Sequence, residues 1–385
     1  MSAAAMFFGF AILLVVLIGT NGYIALRIYQ GVKYIIPQIG AAIFFIIGLF
    51  LVIPFIFGFL RSQLPLPPSV KNTLGVISSY WMGIFLYLLF YFVVADAVIL
   101  LLRITKVMSG PVPQNTYIIS GLLVILATIV TVGYGLYNAG RIKHVYYEII
   151  LEEKIMPSEL KIALISDLHL GALKSEKRLG KIVRDINDLE PDIVCITGDI
   201  FDNDFYAIHN PNEAKNLLKS IKSRYGVYAC LGNHDAGKTI NKMLNFLKRS
   251  NIRVLNDEYV VIDDRVVLVG RLDPSPIGGF GDMKRKDMED VITGVDKSFP
   301  VIVMDHNPAN IGEYENKADL VLSGHTHRGQ VFPGNLVTWA MYVVDYGYYR
   351  KDSSNPHVIV TSGAGTWGLP MRVGSNCEIV SIKLR

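Results

Sequence analysis

The chain has 385 residues, enough for two domains, and its 37 Lys and Arg against 33 Asp and Glu give a formal charge of +4. Six basic residues and one acidic residue lie in 1–140, whereas 31 basic and 32 acidic residues follow in 141–385. The second part therefore lacks the basic excess of a nucleic-acid-binding protein, and we expect no nucleic-acid partner.

Four apolar runs occupy the first part of the chain. They lie near residues 6–28, 34–60, 76–102 and 117–138. Each exceeds the roughly 18–20 residues that a helix needs to cross the hydrocarbon core of a bilayer. The first run lacks the basic N-terminal region and the cleavage site of a signal peptide. The sequence therefore predicts a transmembrane region of four helices over 1–140, with a linker at 141–157. Asp96 in the third run is an ionisable intramembrane residue, with a functional or a structural role.

The side of the membrane is not decided by charge, because basic residues flank both ends of the apolar runs about equally. The three cysteines do not form a disulfide framework, which fits a reducing compartment. We therefore expect a multi-pass protein of the cell membrane with its second part in the cytoplasm.

The second part alternates short apolar strands with amphipathic helices. The expected strands are 161–166, 192–197 and 226–231, and the expected helices are 176–189, 212–224 and 238–249. Beyond residue 252 the pattern favours strands. These are 258–262, 265–270, 300–304, 318–322, 357–361 and 378–384. Alternating strands and helices predict a sheet with covered faces, and the strand-rich remainder predicts a mixed or second sheet.

Five short polar motifs follow five of these strands. They are Asp167-x-His169, Gly198-Asp199-x-x-Asp202, Gly232-Asn233-His234-Asp235, His306, and Gly324-His325-Thr326-His327. Ligands of open α/β sheets collect at the carboxyl ends of the strands, so we expect the motifs to converge on one crevice.

The side chains of these motifs are carboxylates, an amide and imidazoles, which suit Mn, Fe, Zn or Mg. Two such ions about 3.5–4 Å apart are a standard device for hydrolysing phosphate esters, because they lower the pKa of a bridging water that attacks phosphorus in line. A histidine outside the metal shell adds about 10²–10⁴-fold by protonating the leaving group.

The five motifs, in this order over about 160–385, resemble the calcineurin-like metallophosphoesterases. The segments GHTHRGQ and GAGTWGLPMRVG (363–374) are similar to a membrane-associated bacterial branch of that family. The resemblance implies an α/β fold over 158–385: a four-layer sandwich of two mixed β-sheets flanked by helices.

The resemblance also implies a metal-ligand set, here for two divalent ions, with Mn favoured. One ion would be held by Asp167, His169 and His327. The carboxylate of Asp199 would bridge both ions. The other ion would be held by Asn233, His306 and His325.

Three further residues are expected to take part. The resemblance implies that His234 donates a proton to the leaving group and that Asp202 orients it. Many relatives have Gly where this chain has Arg328, which places a cation beside His327. Arg328 is either a contact for a substrate phosphate or a solvated surface residue.

The sequence predicts a membrane-anchored metal-dependent phosphoric ester hydrolase, with a phosphodiester favoured over a phosphomonoester and a lipid-linked substrate suggested by the anchor. One alternative is a membrane receptor or scaffold with a vestigial site. Another comes from residues 232–239, which match the nucleotide-binding pattern G-x-x-x-x-G-K-T. Asp199 could then act as the magnesium-binding acid, but that alternative leaves Asp167, His169, His306, His325 and His327 without a role.

Overall fold

The computed structural model describes residues 3–60, 64–151, 154, 158–171, 175–296 and 298–385. The chain divides into two compact units, Met1–Tyr134 and Gly135–Arg385. Parts of the expected linker, residues 152–153 and 155–157, lie outside the described residues.

The first unit is helical. Its helices are α1 (Ala3–Ile35), α2 (Ala42–Leu60), α3 (Pro68–Ile104) and α4 (Gln114–Ala139), the last of which ends in the second unit. Among the described residues, two segments are long and apolar enough to cross a membrane, Ser69–Ile104 and Asn115–Ala139. A shorter apolar helix covers Ala42–Gly58. Each of the four apolar runs thus contains helix, and within the described residues two of them contain a segment that qualifies as a membrane span.

Asp96 on α3 is paired with side chains of α1. Its carboxylate accepts hydrogen bonds from the Tyr23 hydroxyl at 2.5 Å and from Arg27 Nε at 3.0 Å, and the Arg27 guanidinium forms an ion pair with it. A carboxylate in apolar surroundings needs such partners, so these contacts give Asp96 a structural role.

The second unit contains two six-stranded sheets within the described residues. The first is built from β1 (Ile142–Ile149), β2 (Leu160–Ile165), β3 (Ile193–Thr197), β4 (Val227–Cys230), β5 (Ile252–Val254) and β12 (Cys377–Leu384). The second is built from β6 (Glu258–Ile262), β7 (Val266–Gly270), β8 (Val301–Met304), β9 (Leu320–Ser323), β10 (Gly347–Tyr349) and β11 (His357–Val360).

Both sheets are mixed. The strand orders are β1-β12-β2-β3-β4-β5 and β10-β11-β9-β8-β7-β6. Neighbouring strands are parallel except for the pairs β12–β2, β6–β7 and β10–β11. Strands β2, β3 and β4 are therefore parallel to one another, as are β7, β8 and β9. In each set the carboxyl ends lie at the same edge of the sheet.

Three apolar cores separate four layers. The helices of this unit are α5 (Glu176–Asp188), α6 (Pro211–Lys219), α7 (Ile240–Arg249), α8 (Met288–Val291) and α9 (Gly334–Met341). Leu179 of α5 belongs to the core that covers the first sheet, and Leu164 and Leu268 meet in the core between the sheets. Val303 and Met288 of α8 share the core on the outer face of the second sheet. Two mixed sheets flanked by helices confirm the expected sandwich.

Some elements differ from the expectation. Strand β1 lies within 141–157, the stretch expected to be a linker, and pairs along its length with β12. The helix expected at 212–224 ends at Lys219, because an exposed turn follows. Strands β5 and β10 and helix α9 were not predicted. Each is short or lacks the periodic burial on which sequence prediction depends.

A buried ion-pair network follows β7. The Arg271 guanidinium is fully buried, with Nε 2.9 Å from Asp257 Oδ1 and Nη2 2.9 Å from Glu313 Oε1. Its Nη2 also donates to the Lys286 carbonyl at 2.7 Å. These contacts fix the long connection between β7 and α8.

Replacing Arg271 with Met should lower the free energy of unfolding by about 3–5 kcal/mol, because the buried Asp257 carboxylate would lose its counter-charge. Urea unfolding of the detergent-solubilised chain measures the change. Lys317→Met is the control, since Lys317 pairs with the exposed Glu289 and should contribute no more than about 1 kcal/mol. Equal losses in the two variants would contradict the prediction.

Candidate metal centre

The polar motifs lie at the carboxyl ends of five strands. Asp167 and Asp199 come two residues after β2 and β3, and Asn233 comes three residues after β4. His306 and His325 come two residues after β8 and β9 of the other sheet. Because these strands are parallel within each sheet, both sheets deliver their ligands to one edge, as the sequence predicted.

The first group of converging side chains is Asp167, His169 and His327, all buried. His327 Nε2 lies 3.2 Å from Asp167 Oδ1 and 3.1 Å from His169 Nε2. His169 Nε2 lies 3.9 Å from the same carboxylate oxygen. One carboxylate oxygen and two imidazole nitrogens therefore face a common point.

The second group is Asp199, His306 and His325, joined by Asn233. His306 Nε2 lies 3.2 Å from Asp199 Oδ2 and 3.2 Å from His325 Nδ1. Asn233 Oδ1 lies 2.9 Å from His325 Nδ1. This group also combines carboxylate, amide and imidazole atoms around one point.

Asp199 joins the two groups. Its Oδ2 lies 3.2 Å from His306 Nε2 in the second group and 3.8 Å from His169 Nε2 in the first. Its Oδ1 accepts a hydrogen bond from the His234 backbone N–H at 2.8 Å, which fixes the carboxylate plane. One carboxylate thus faces both clusters.

These residues fit a pair of divalent cations. The buried Asp167 Oδ1 accepts no hydrogen bond from the described part of the chain, so an anionic oxygen is left for a cation. In each group two imidazole nitrogens lie 3.1–3.2 Å apart. This arrangement suits binding of both nitrogens to a shared ion better than a hydrogen bond between the rings. The mixed oxygen and nitrogen set is typical of sites for Mn, Fe or Zn.

The electrostatics of the site favour an ionised Asp199 and shift the pKa values of the imidazoles in different directions. Burial raises the pKa of Asp199, but the charge of His306, its hydrogen bond and the charge of His169 together outweigh burial and bring that pKa to about 2. Burial lowers the pKa of His169 to about 3 and that of His325 to about 4. Burial also acts against protonation of His306, yet the Asp199 carboxylate raises its pKa well above the usual range. Ligand atoms must be deprotonated to bind a metal, so a cation would displace the His306 proton.

Five of the seven expected ligands have a left-handed backbone. Their φ angles are 56° at Asp167, 46° at His169, 52° at Asp199, 69° at His325 and 50° at His327. This region is uncommon for residues other than glycine, and such residues cluster at functional sites. The sharp turns let each chain segment leave its strand and direct a side chain into the crevice.

Two motif glycines are required by close packing around the ligands. A Cβ at Gly232 would lie 2.2 Å from Asp199 Oδ1. A Cβ at Gly324 would lie 2.0 Å from Ser166 Oγ and 2.5 Å from Asp167 Oδ2. Both glycines therefore make room for a ligand carboxylate.

His234 and Asp202 lie beside the first group. The His234 ring centroid is 5.2 Å from that of His169 and 5.5 Å from that of Trp367. Asp202 Oδ1 is 3.9 Å from His234 Nδ1 and 3.8 Å from His169 Nδ1. The expected contact between Asp202 and His234 is thus close, but longer than a hydrogen bond. His169, Asp202 and His234 also form a third group of possible ligands, which shares His169 with the first.

Arg328 directly follows His327 and has a left-handed φ of 49°. Its guanidinium carbon lies 4.4 Å from the centroid of the Tyr346 ring. This stacking holds the cation at a defined position next to the ligand, and a contact with substrate phosphate stays a prediction.

Two further buried residues support the site, Asp235 of the third motif and Arg372. Asp235 accepts hydrogen bonds from the backbone N–H groups of Gly232 at 2.9 Å and Phe201 at 2.8 Å, and burial raises its pKa to about 7. Arg372 is fully buried, with Nη2 3.0 Å from His327 Nδ1 and Nη1 donating to the His327 carbonyl at 2.9 Å. Arg372 lies in the segment 363–374, and the resemblance of that segment to relatives could have indicated a role for Arg372.

Replacing Arg372 with Met should weaken metal binding by about 10–100-fold, because partners behind a ligand orient it. Titration of the metal-free protein with Mn²⁺ measures the change in Kd. Arg178→Met is the matched control, since Arg178 donates to Thr366 at 3.1 Å and contacts no expected ligand. An unchanged Kd in a folded Arg372→Met protein would contradict the role of this side chain.

The nucleotide-binding alternative does not agree with the structure of residues 232–239. A phosphate-binding loop presents unpaired backbone N–H groups. Here the N–H groups of Gly232, His234 and Gly237 donate to Asp235, Asp199 and the Gly279 carbonyl. The loop therefore supports the cluster of converging side chains around Asp199.

Comparison with known proteins identifies related sequences. The family model for calcineurin-like phosphoesterases matches residues 160–329. A transmembrane protein with metallophosphoesterase domain from Danio rerio is 31% identical over 335 residues, which cover 81% of this chain and 74% of that protein. An uncharacterised metallophosphoesterase of Aquifex aeolicus is 32% identical, covering 62% of this chain and 90% of the relative. The UDP-2,3-diacylglucosamine pyrophosphatase LpxG of Chlamydia muridarum is 28% identical, covering 45% and 64%.

Proposed function

Because the chain belongs to the calcineurin-like phosphoesterase family, we propose that it is a membrane-anchored phosphoesterase with two divalent metal ions. The observation that carries this proposal is the position of Asp199, whose carboxylate faces both clusters of ligand atoms. A carboxylate in that position can hold two cations close together despite their repulsion.

Each ion has its own set of side chains in the proposal. Asp167, His169 and His327 would hold one, Asn233, His306 and His325 would hold the other, and Asp199 would bridge them. Mn is the favoured metal. When bound, the ions would supply Lewis-acid stabilisation of phosphoryl charge and a lowered pKa for the attacking water.

His234 is the proposed proton donor to the leaving oxygen. It lies outside the two ligand groups, yet its ring is 5.2 Å from that of His169. With Nδ1 turned towards Asp202, the imidazole would hold its transferable proton at Nε2. The Trp367 ring centroid lies 5.5 Å from that of His234, and His234 is buried, which would limit access of water to it.

The proposed substrate is a phosphodiester attached to a lipid. Two helices of sufficient length and apolarity support a location at the bilayer. The relative LpxG is named for a substrate with two acyl groups and a pyrophosphate, which is consistent with that choice. We extend the same proposal to a four-helix transmembrane region over 1–140 and a catalytic domain over 158–385 in the cytoplasm.

Hydrolysis of bis-(p-nitrophenyl) phosphate and p-nitrophenyl phosphate by the detergent-solubilised chain tests the function. We expect turnover that requires Mn²⁺, is lost with a chelator, returns when Mn²⁺ is restored, and favours the diester. A protein that binds no metal and hydrolyses neither ester would overturn the proposal and favour a receptor or scaffold with a vestigial site.

Arg328→Ala should raise KM about 10-fold or more with little change in kcat, because a charged hydrogen bond to a substrate phosphate would be lost. Kinetics on the preferred diester measure both constants. Tyr346→Phe is the control, since it keeps the ring on which the guanidinium stacks. If Arg328→Ala changes neither constant, Arg328 does not bind substrate.

A further inference from the structure

The segment 332–343 exposes an unusual amount of apolar surface. It contains α9, in which no residue is buried. Trp339 is 74% exposed, Val343 71% and Met341 69%. Phe332, Leu336 and Val337 are exposed as well. We name these six side chains the apolar patch.

The apolar patch is not an ordinary solvent-facing helix. Surface helices have polar and charged residues on their outer side, whereas residues 329–344 include no charged residue. Isolated exposed apolar side chains are common, but a contiguous set indicates a surface that another apolar phase covers.

The apolar patch is attached, within the second unit, to the end of a candidate membrane span. The Phe332 N–H donates to the Val373 carbonyl at 2.7 Å, and the Arg372 N–H donates to the Gly135 carbonyl at 2.9 Å. Asn138 Nδ2 donates to the Ser375 carbonyl at 2.9 Å. Residues 371–375 thus connect the base of the patch to residues 135–139, the last turn of α4. The segment Asn115–Ala139 is long and apolar enough to cross a bilayer.

The same segment borders the metal centre. The Tyr342 ring centroid lies 6.3 Å from that of His325. The Thr326 hydroxyl, between two ligand histidines, donates to the Asp345 carbonyl at 2.6 Å, and the Thr338 hydroxyl of α9 donates to Asp345 Oδ2 at 2.8 Å. Asp345 therefore fixes α9 to the ligand loop.

We infer that the apolar patch enters the interfacial layer of a phospholipid bilayer. Trp and Phe, together with aliphatic side chains, are the composition of segments that lie in this layer. The connection to residues 135–139 favours lipid as the occupant, because the chain enters the catalytic unit from a candidate span at that position. The inference rests on the proposed function in one respect: the contact would bring a lipid-linked phosphoester to His325.

Quenching of Trp339 fluorescence by brominated lipid tests the contact. The chain has three tryptophans, so Trp81→Phe with Trp367→Phe leaves Trp339 as the single reporter. The full chain is placed in vesicles of phosphatidylcholine, with and without bromine on the acyl chains near the head group. We expect at least a two-fold loss of emission with the brominated lipid.

A matched reporter is placed away from the patch. Tyr206→Trp, in a chain with all three native tryptophans changed to Phe, uses a position that is 65% exposed in the same unit. Its emission should be unchanged by brominated lipid. Equal quenching at residues 206 and 339, or none at 339, would overturn the inference.

A second reporter keeps the test independent of the tryptophan substitutions. Val337→Cys labelled with an environment-sensitive dye should be quenched by spin-labelled lipid, and the three native cysteines are buried. Protection of Trp339 from aqueous acrylamide without quenching by brominated lipid would overturn the inference in favour of a protein partner. Neither measurement uses turnover, so loss of the contact and loss of the proposed activity are distinguishable.

Discussion

Asp199→Asn is expected to remove metal-dependent hydrolysis from the otherwise folded protein. The substitution keeps the size of the side chain and an oxygen that can accept from the His234 N–H. It removes the negative charge that faces His169 and His306. Two cations would then repel each other without a shared anion between them.

We expect fewer than two bound metal ions for each chain. We also expect kcat/KM to fall by more than the roughly 10–100-fold that follows loss of a residue hydrogen-bonded to a metal ligand. Metal analysis and diesterase kinetics measure both quantities. Asp204→Asn is the matched control. Asp204 is exposed, and Asn can still accept the hydrogen bond from the Tyr206 N–H. Full metal content and full turnover in Asp199→Asn would refute the bridging role.

His234→Ala is expected to lower kcat by about 10²–10⁴-fold while both metal ions stay bound. The loss should depend on the leaving group. An alkyl ester releases a strongly basic alkoxide that needs a proton, whereas p-nitrophenolate leaves readily without one. We therefore expect a large loss on an alkyl phosphodiester and a much smaller one on bis-(p-nitrophenyl) phosphate.

The comparison of two leaving groups separates proton donation from metal binding. If His234 were a ligand, as the group with His169 and Asp202 permits, both substrates would lose activity equally and metal content would fall. His209→Ala is the control, since His209 is exposed on a nearby loop. Equal losses on the two substrates would assign His234 to the metal shell.

The sequence predicted the sheets and the convergence of the motifs because both depend on local patterns. A buried run such as 193–196 is apolar throughout, and the end of the strand fixes the position of the residues that follow it. Parallel order then places the ends of β2, β3 and β4 at one edge of the sheet. The alternation of strands and helices predicts that order.

Other features depend on contacts between distant parts of the chain. Strand β1 pairs with β12, more than 200 residues later, so nothing near residue 145 indicates its partner. The contact of Arg372 with His327 spans 45 residues and involves a fully buried cation, which composition would place at the surface. Helix α9 has no buried side, so the usual apolar periodicity was absent.

The left-handed backbone of five expected ligands has a consequence for the stability of the fold. A non-glycine residue in that conformation costs about 1–3 kcal/mol, and the chain holds five of them where glycine would fold more easily. Such residues persist only where the surrounding structure holds them in place. Gly in place of Asp167, His169 or His327 would relieve that strain, but it would also remove an expected ligand. The backbone angles thus mark the positions at which the stability of the fold and the proposed metal binding favour different residues.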